Sequence, residues 1–88
     1  MKKDMVNKIM VNKIADSIID KVLKNGGRWC KLKMKKTGEE LKVIRTGYRS
    51  FEYFYKDSCN LVNEEGTVLV VAETPYGIAK YIFENYCK

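Results

Sequence analysis

Apolar positions along the chain switch between two periods, and the switches mark the elements. Over residues 11–24, at about 100° per residue, Val11, Ile14, Ala15, Ile18, Ile19, Val22 and Leu23 fall on one side of a helix, with Lys13, Asp16, Ser17, Asp20, Lys21 and Lys24 on the other. Asn25-Gly26-Gly27 ends that helix, because glycine takes the left-handed conformation of a C-cap without steric cost. Upstream, Met5-Val-Asn-Lys-Ile9 repeats at once as Met10-Val-Asn-Lys-Ile14. A five-residue shift rotates the pattern by roughly 140°, so in a helix reaching back to residue 4 the side chains of Met5, Val6, Ile9 and Met10 point away from the main stripe. Residues 1–10 are therefore expected to fray, to kink back onto the core, or to offer an apolar surface for self-association as a homodimer.

After the glycines the period becomes two. Residues 28–36, a turn at Thr37-Gly38 and residues 39–45 read as a β-hairpin. An even-membered loop centred on Thr37-Gly38 pairs Met34 with Leu41 and Leu32 with Val43, putting these apolar residues on one face with Cys30. Trp29, Lys31, Lys33, Lys35, Lys42, Ile44 and Thr46 take the other face, and Lys33 stands opposite Lys42.

Residues 48–55 hold Tyr48, Phe51, Tyr53, Phe54 and Tyr55 and read as a third strand. A loop at 56–60 and a short apolar step at Leu61-Val62 follow. The turn at 63–66 leads into Thr67 to Ala72, apolar on both faces, which predicts a central strand. Thr74-Pro75 starts a second helix, with Pro at its first position and Tyr76, Ala79, Ile82, Phe83 and Tyr86 at helical spacing. The expected fold is α+β: an N-terminal helix, a three- or four-stranded antiparallel meander, and a C-terminal helix packed on the sheet, all in one domain over residues 1–88.

Composition narrows the function. An 88-residue chain closes one core and has no room for separate cofactor and substrate domains. No apolar run approaches a membrane span and no segment reads as a signal peptide, so a cytoplasmic protein without a membrane partner is expected. Lysine outnumbers arginine by 14 to 3, and Asn, Ile and Tyr are frequent, which fits the bias of an AT-rich genome such as that of a phage or mobile element. There is no His, which removes the commonest general base and metal ligand. Cys30, Cys59 and Cys87 are odd in number and widely spaced, which fits reduced, apolar cysteines better than a disulfide frame or a zinc site. No cofactor and no metal are expected.

The net charge of +6 is unevenly placed: residues 1–49 carry 14 basic and 5 acidic side chains, residues 50–88 carry 3 and 6. Like charges opposite one another on a sheet are destabilising, and a polyanion across the hairpin would relieve them while releasing counterions. Arg28, Trp29, Lys31, Lys33, Lys35, Lys42, Arg45 and Arg49 are accordingly the candidate contacts for RNA, DNA or a nucleoprotein, lysines tracking phosphates and Trp29 stacking on a base. A lysine-bearing strand is also a common guard against edge-to-edge aggregation, so the same pattern has a purely structural reading. Tyr48 and Phe54 are the aromatics expected to be exposed for recognition.

Catalysis has little support. Glu39-Glu40 and Glu64-Glu65 are expected in turns facing water, and Ser17, Ser50 and Ser58 have no His to activate them. One arrangement can be drawn, a ribonuclease with Glu52 or a lysine moving protons and Arg45 and Arg49 holding phosphate, but nothing beyond residue type selects it. The order helix, three strands, helix is similar in layout to double-stranded-RNA-binding domains. That family's lysine cluster at the start of the second helix has a single lysine, Lys80, to match it in Pro75–Lys80, and no family is assigned. The leading expectation is a non-enzymatic module whose basic hairpin contacts nucleic acid or a nucleoprotein. The alternative is an anti-CRISPR-like inhibitor that binds a host defence nuclease through exposed aromatic and apolar patches.

Overall fold

The computed structural model describes residues 2–46 and 58–86, with side chains from Asn7 onward. The order is α1 (Lys2–Lys24), β1 (Trp29–Lys33), β2 (Glu40–Arg45), β3 (Cys59–Val62), β4 (Val68–Ala72) and α2 (Pro75–Tyr86). The four strands form an antiparallel meander in the order β1-β2-β3-β4. Helix α1 packs on β1 and on α2, and α2 packs on β3 and β4, which is the expected α+β arrangement.

Helix α1 runs unbroken through the five-residue repeat to Lys2. Its stripe buries Ala15, Ile18 and Val22 completely, with Val11, Ile14 and Ile19 partly covered. Leu23, expected on that stripe, is 45% exposed, because at about 100° per residue it lies on the margin opposite Ile14. Ile9 and Met10 are exposed, while the side chains of Met5 and Val6 lie outside the described residues. The helix ends in a Schellman turn: Gly26 takes φ of 90° and the amide of Gly27 donates to the carbonyl of Val22 at 2.8 Å.

The hairpin keeps the expected faces but not the expected partners. Leu32 stands opposite Leu41, Cys30 opposite Val43 and Lys31 opposite Lys42, while Lys33 faces Glu40. The register is two residues away from Met34–Leu41 pairing. A two-residue slip conserves every face, so alternation alone does not distinguish the two. The turn decides: Met34 accepts from the amide of Gly38 at 2.8 Å and donates its own to Glu39, enclosing the four residues 35–38 with Gly38 at φ of 72°.

The second half of the sheet departs further. Residues 48–55, expected as the third strand, lie outside the described residues. Strand β3 is Cys59–Val62, so Cys59 and Asn60, expected in a loop, join Leu61-Val62 in the middle of the sheet. Strand β4, expected to be central, is the last in the order. Its unbroken apolar run has another cause. Leu61 pairs with Val70 but Val62 with Val68, so a β-bulge leaves Leu69 as the extra residue. Leu69 and Val70, though adjacent, both pack against the core, and Val68 and Val71 are exposed at 48% and 69%.

Helix α2 begins at Pro75, and the amide of Gly77 donates to the carbonyl of Thr74. The buried positions are Pro75, Ile78, Ala79 and Ile82. Tyr76, expected on the core stripe, is exposed at 38%, and Ile78 takes its place. Gly77 lets α2 approach β4: a β-carbon there would stand 2.8 Å from that of Ala72, closer than carbon atoms tolerate. Gly77→Ala is therefore expected to lower stability by about 1–2 kcal/mol in chemical denaturation, overpacking outweighing the helix propensity gained; an increase would show that the strand gives way.

Among the described residues no helix is long and apolar enough to cross a membrane.

Candidate functional site

Both helices cover one face of the sheet, and the opposite face carries no helix among the described residues. Two rows of side chains cross that open face. Trp29, Ile44, Asn60 and Val71 form one, and Lys31, Lys42, Val62 and Val68 the other. Lysines, carboxylates and aliphatic side chains meet in a shallow cleft of about 830 Å³ that includes Lys31, Lys42, Glu40, Glu64, Ile44 and Val62.

Trp29 opens β1, held in place where the side-chain amide of Asn25 donates to its carbonyl at 3.0 Å. Trp29 is 36% exposed. The Lys42 ammonium lies 4.5 Å from the ring centroid and that of Lys31 at 6.0 Å, both within cation–π reach. Lys31 and Lys42 are the facing like charges, not Lys33 and Lys42. Their repulsion is offset within the protein: Lys31 Nζ lies 3.6 Å from Glu40 Oε1 and Lys42 rests on the Trp29 ring. Glu40, expected to face water in a turn, instead opens β2, and its amide donates to Glu64 Oε1 at 2.7 Å. Glu39, expected to do the same, accepts from the Tyr86 hydroxyl at 2.7 Å, a bond that pushes the Tyr86 phenol up to about 12.

Lys33 is exposed at the end of β1, Lys35 in the turn and Arg28 just before the strand. Arg45 departs from expectation. It shares parity with Leu41 and Val43, so it points to the helices and is 1% exposed. Its Nη1 donates to the Gly27 carbonyl at 3.2 Å, and its amide to the Arg28 carbonyl at 2.8 Å. Arg45 ties β2 to the α1–β1 connection and is not a surface contact. The alternation of β2 carried that signal. Tyr48, Arg49 and Phe54 lie outside the described residues, as does Glu52.

Chemically, the open face offers ammonium groups spaced along and across two strands, beside an indole whose ring is partly bare. It can hold phosphates and a stacked base. The ribonuclease arrangement loses Arg45 to the core, and among the described residues no group of three or more Cys, Asp or Glu could hold a metal ion. Cys30 and Cys59 are both buried, burial pushing the Cys30 thiol up to about 11. Cys87 lies outside the described residues.

No family model matches the chain, and neither does any curated protein or solved structure.

Proposed function

We propose that the protein is a non-enzymatic binding module of the cytoplasm that holds single-stranded nucleic acid, alone or within a nucleoprotein, on the open face of its hairpin. The observation that supports this reading is the exposed Trp29 ring with the ammonium groups of Lys31 and Lys42 beside it. An aromatic plane among cations that can follow a phosphate chain is what sequence-tolerant single-strand binding uses. Lys33, Lys35 and Arg28 extend the positive track at either end of β1. Readout of base identity is a minor part of this arrangement, since lysine positions phosphates more than it discriminates bases.

Trp29 is the chain's single tryptophan, so its emission reports directly on the site. A labelled oligouridylate of about 12 nucleotides should bind with quenching of that emission at low salt. Trp29→Leu should weaken binding by about tenfold, in keeping with stacking worth ~1–3 kcal/mol per base. Absence of both quenching and an anisotropy change at low salt would overturn the proposal.

A further inference from the structure

The gap between the helices and the hairpin stays open at the turn end of the sheet. There α1 and the β1–β2 connection enclose a cleft of about 530 Å³, within the range of ligand sites. Its deep part is made by Ile18, Leu32 and Ile82, all buried, and its upper walls by Ile14, Met34 and the exposed Met10. Lys13 and Lys21 stand along the α1 wall, and Lys33, Lys35 and Lys36 along the hairpin wall. All five lysines are exposed, and no carboxylate lines the cleft among the described residues.

An apolar floor between two lysine rows is the complement of one ligand chemistry, an apolar stripe flanked by carboxylates. Phosphate backbones match the lysines but leave the floor uncovered. A free fatty acid matches the charge, yet a site this open at Met10 and along both rims would not enclose most of its surface, as small-molecule sites do. The length of the wall selects a helix. Met10, Ile14, Ser17 and Lys21 recur at spacings of four, three and four along α1, about three turns and roughly 16 Å. A second copy of the chain docking through this face would set lysines against lysines.

We propose that this cleft docks a short acidic amphipathic helix of a partner protein, about three turns long, its apolar stripe on Ile14, Ile18, Leu32 and Met34 and its carboxylates between the two lysine rows. This site opens on the helix-covered side of the sheet, and Trp29 is not part of its lining; it shares Lys33 and Lys35 with the track proposed for nucleic acid but does not depend on that reading.

The test uses the full chain and a labelled helical peptide of roughly 12 residues, with Leu at i, i+3, i+4 and i+7 and Glu on both flanks, beside a scrambled peptide of the same composition. The amphipathic peptide should bind at micromolar concentration and the scramble at least tenfold more weakly. Lys13→Glu with Lys21→Glu, both on the exposed side of α1, should weaken binding by tenfold or more with the thermal midpoint retained. Met34→Glu should also weaken binding by tenfold or more from the opposite wall, with some loss of stability because Met34 packs against the core, whereas Trp29→Leu should leave peptide binding unchanged. Equal binding of the scramble, indifference to the charge reversal, or full displacement of the peptide by decanoate would overturn the proposal, the last in favour of a small anionic amphiphile.

Discussion

Arg45→Met is expected to lower the stability of the protein by about 3 kcal/mol, a large part of the 5–15 kcal/mol typical of native proteins. Arg45 is the largest of the fully buried side chains. Methionine replaces much of its aliphatic volume, so the loss falls mainly on the polar end. The Gly27 carbonyl, within a buried contact at 3.2 Å, loses its charged donor and stays out of water. Replacing a complete buried ion pair by apolar groups is often harmless, but removing one partner of a buried polar contact is costly. At about 4–8 °C per kcal/mol for a chain of this size, the thermal midpoint should fall by roughly 12–24 °C when followed by circular dichroism. Lys33→Met, on the exposed side of the same hairpin, should shift it by no more than a few degrees. A midpoint unchanged by Arg45→Met would mean that the guanidinium contributes nothing to anchoring the α1–β1 connection.

Arg45 is also where two sequence signals disagree. Its position two residues beyond Val43 places it on the core face, yet its charge argues for the surface, and for a strand the parity is the better guide. The hairpin register escapes the sequence for the opposite reason. Face alternation has a period of two, so Lys33–Lys42 and Lys31–Lys42 pairing are equally compatible with it, and the four-residue turn ending at Gly38 decides between them. In β4 one bulged residue gives the last strand of the described sheet a pattern that reads as central, because Leu69 and Val70 share a face only when Leu69 is extra. The helices are legible from their apolar stripes, down to the glycine cap of α1 and the proline start of α2. The open face is legible as a set of basic residues, but not its internal neutralisation, because the partnership of Lys31 with Glu40 and of Lys42 with Trp29 depends on side-chain placement across the hairpin. The lysine-rimmed cleft leaves no trace in the local pattern, since it joins α1, the hairpin turn and α2, segments far apart in the chain.

Lys42→Glu should separate the structural role of the open face from the proposed binding role, because it moves the two in different directions. In the native chain Lys42 stands opposite Lys31 and over the Trp29 ring. The substitution replaces a like-charge cross-strand pair with an opposite-charge one, a gain of about 0.2–1 kcal/mol, and gives up a cation–π contact worth about 0.5–1 kcal/mol at an exposed site. The two nearly cancel, so the thermal midpoint should stay within a few degrees of the native value. Binding of the labelled oligouridylate should nevertheless fall by tenfold or more, since a carboxylate then stands where a phosphate is to lie. Lys31→Glu together with Lys42→Glu should abolish binding, as two new carboxylates would then join Glu40 and Glu64 in the cleft. Salt provides the quantitative check. With three or four phosphates neutralised on a single strand, log affinity should fall with log salt at a slope of about −2 to −3, which is a loss of roughly 20- to 50-fold between 50 and 200 mM. Lys42→Glu should make that slope shallower by about 0.7. Binding that survives both reversals with the native salt slope would place the nucleic acid elsewhere on the molecule. A lowered midpoint with unchanged affinity would show that Lys42 serves the sheet and not a ligand.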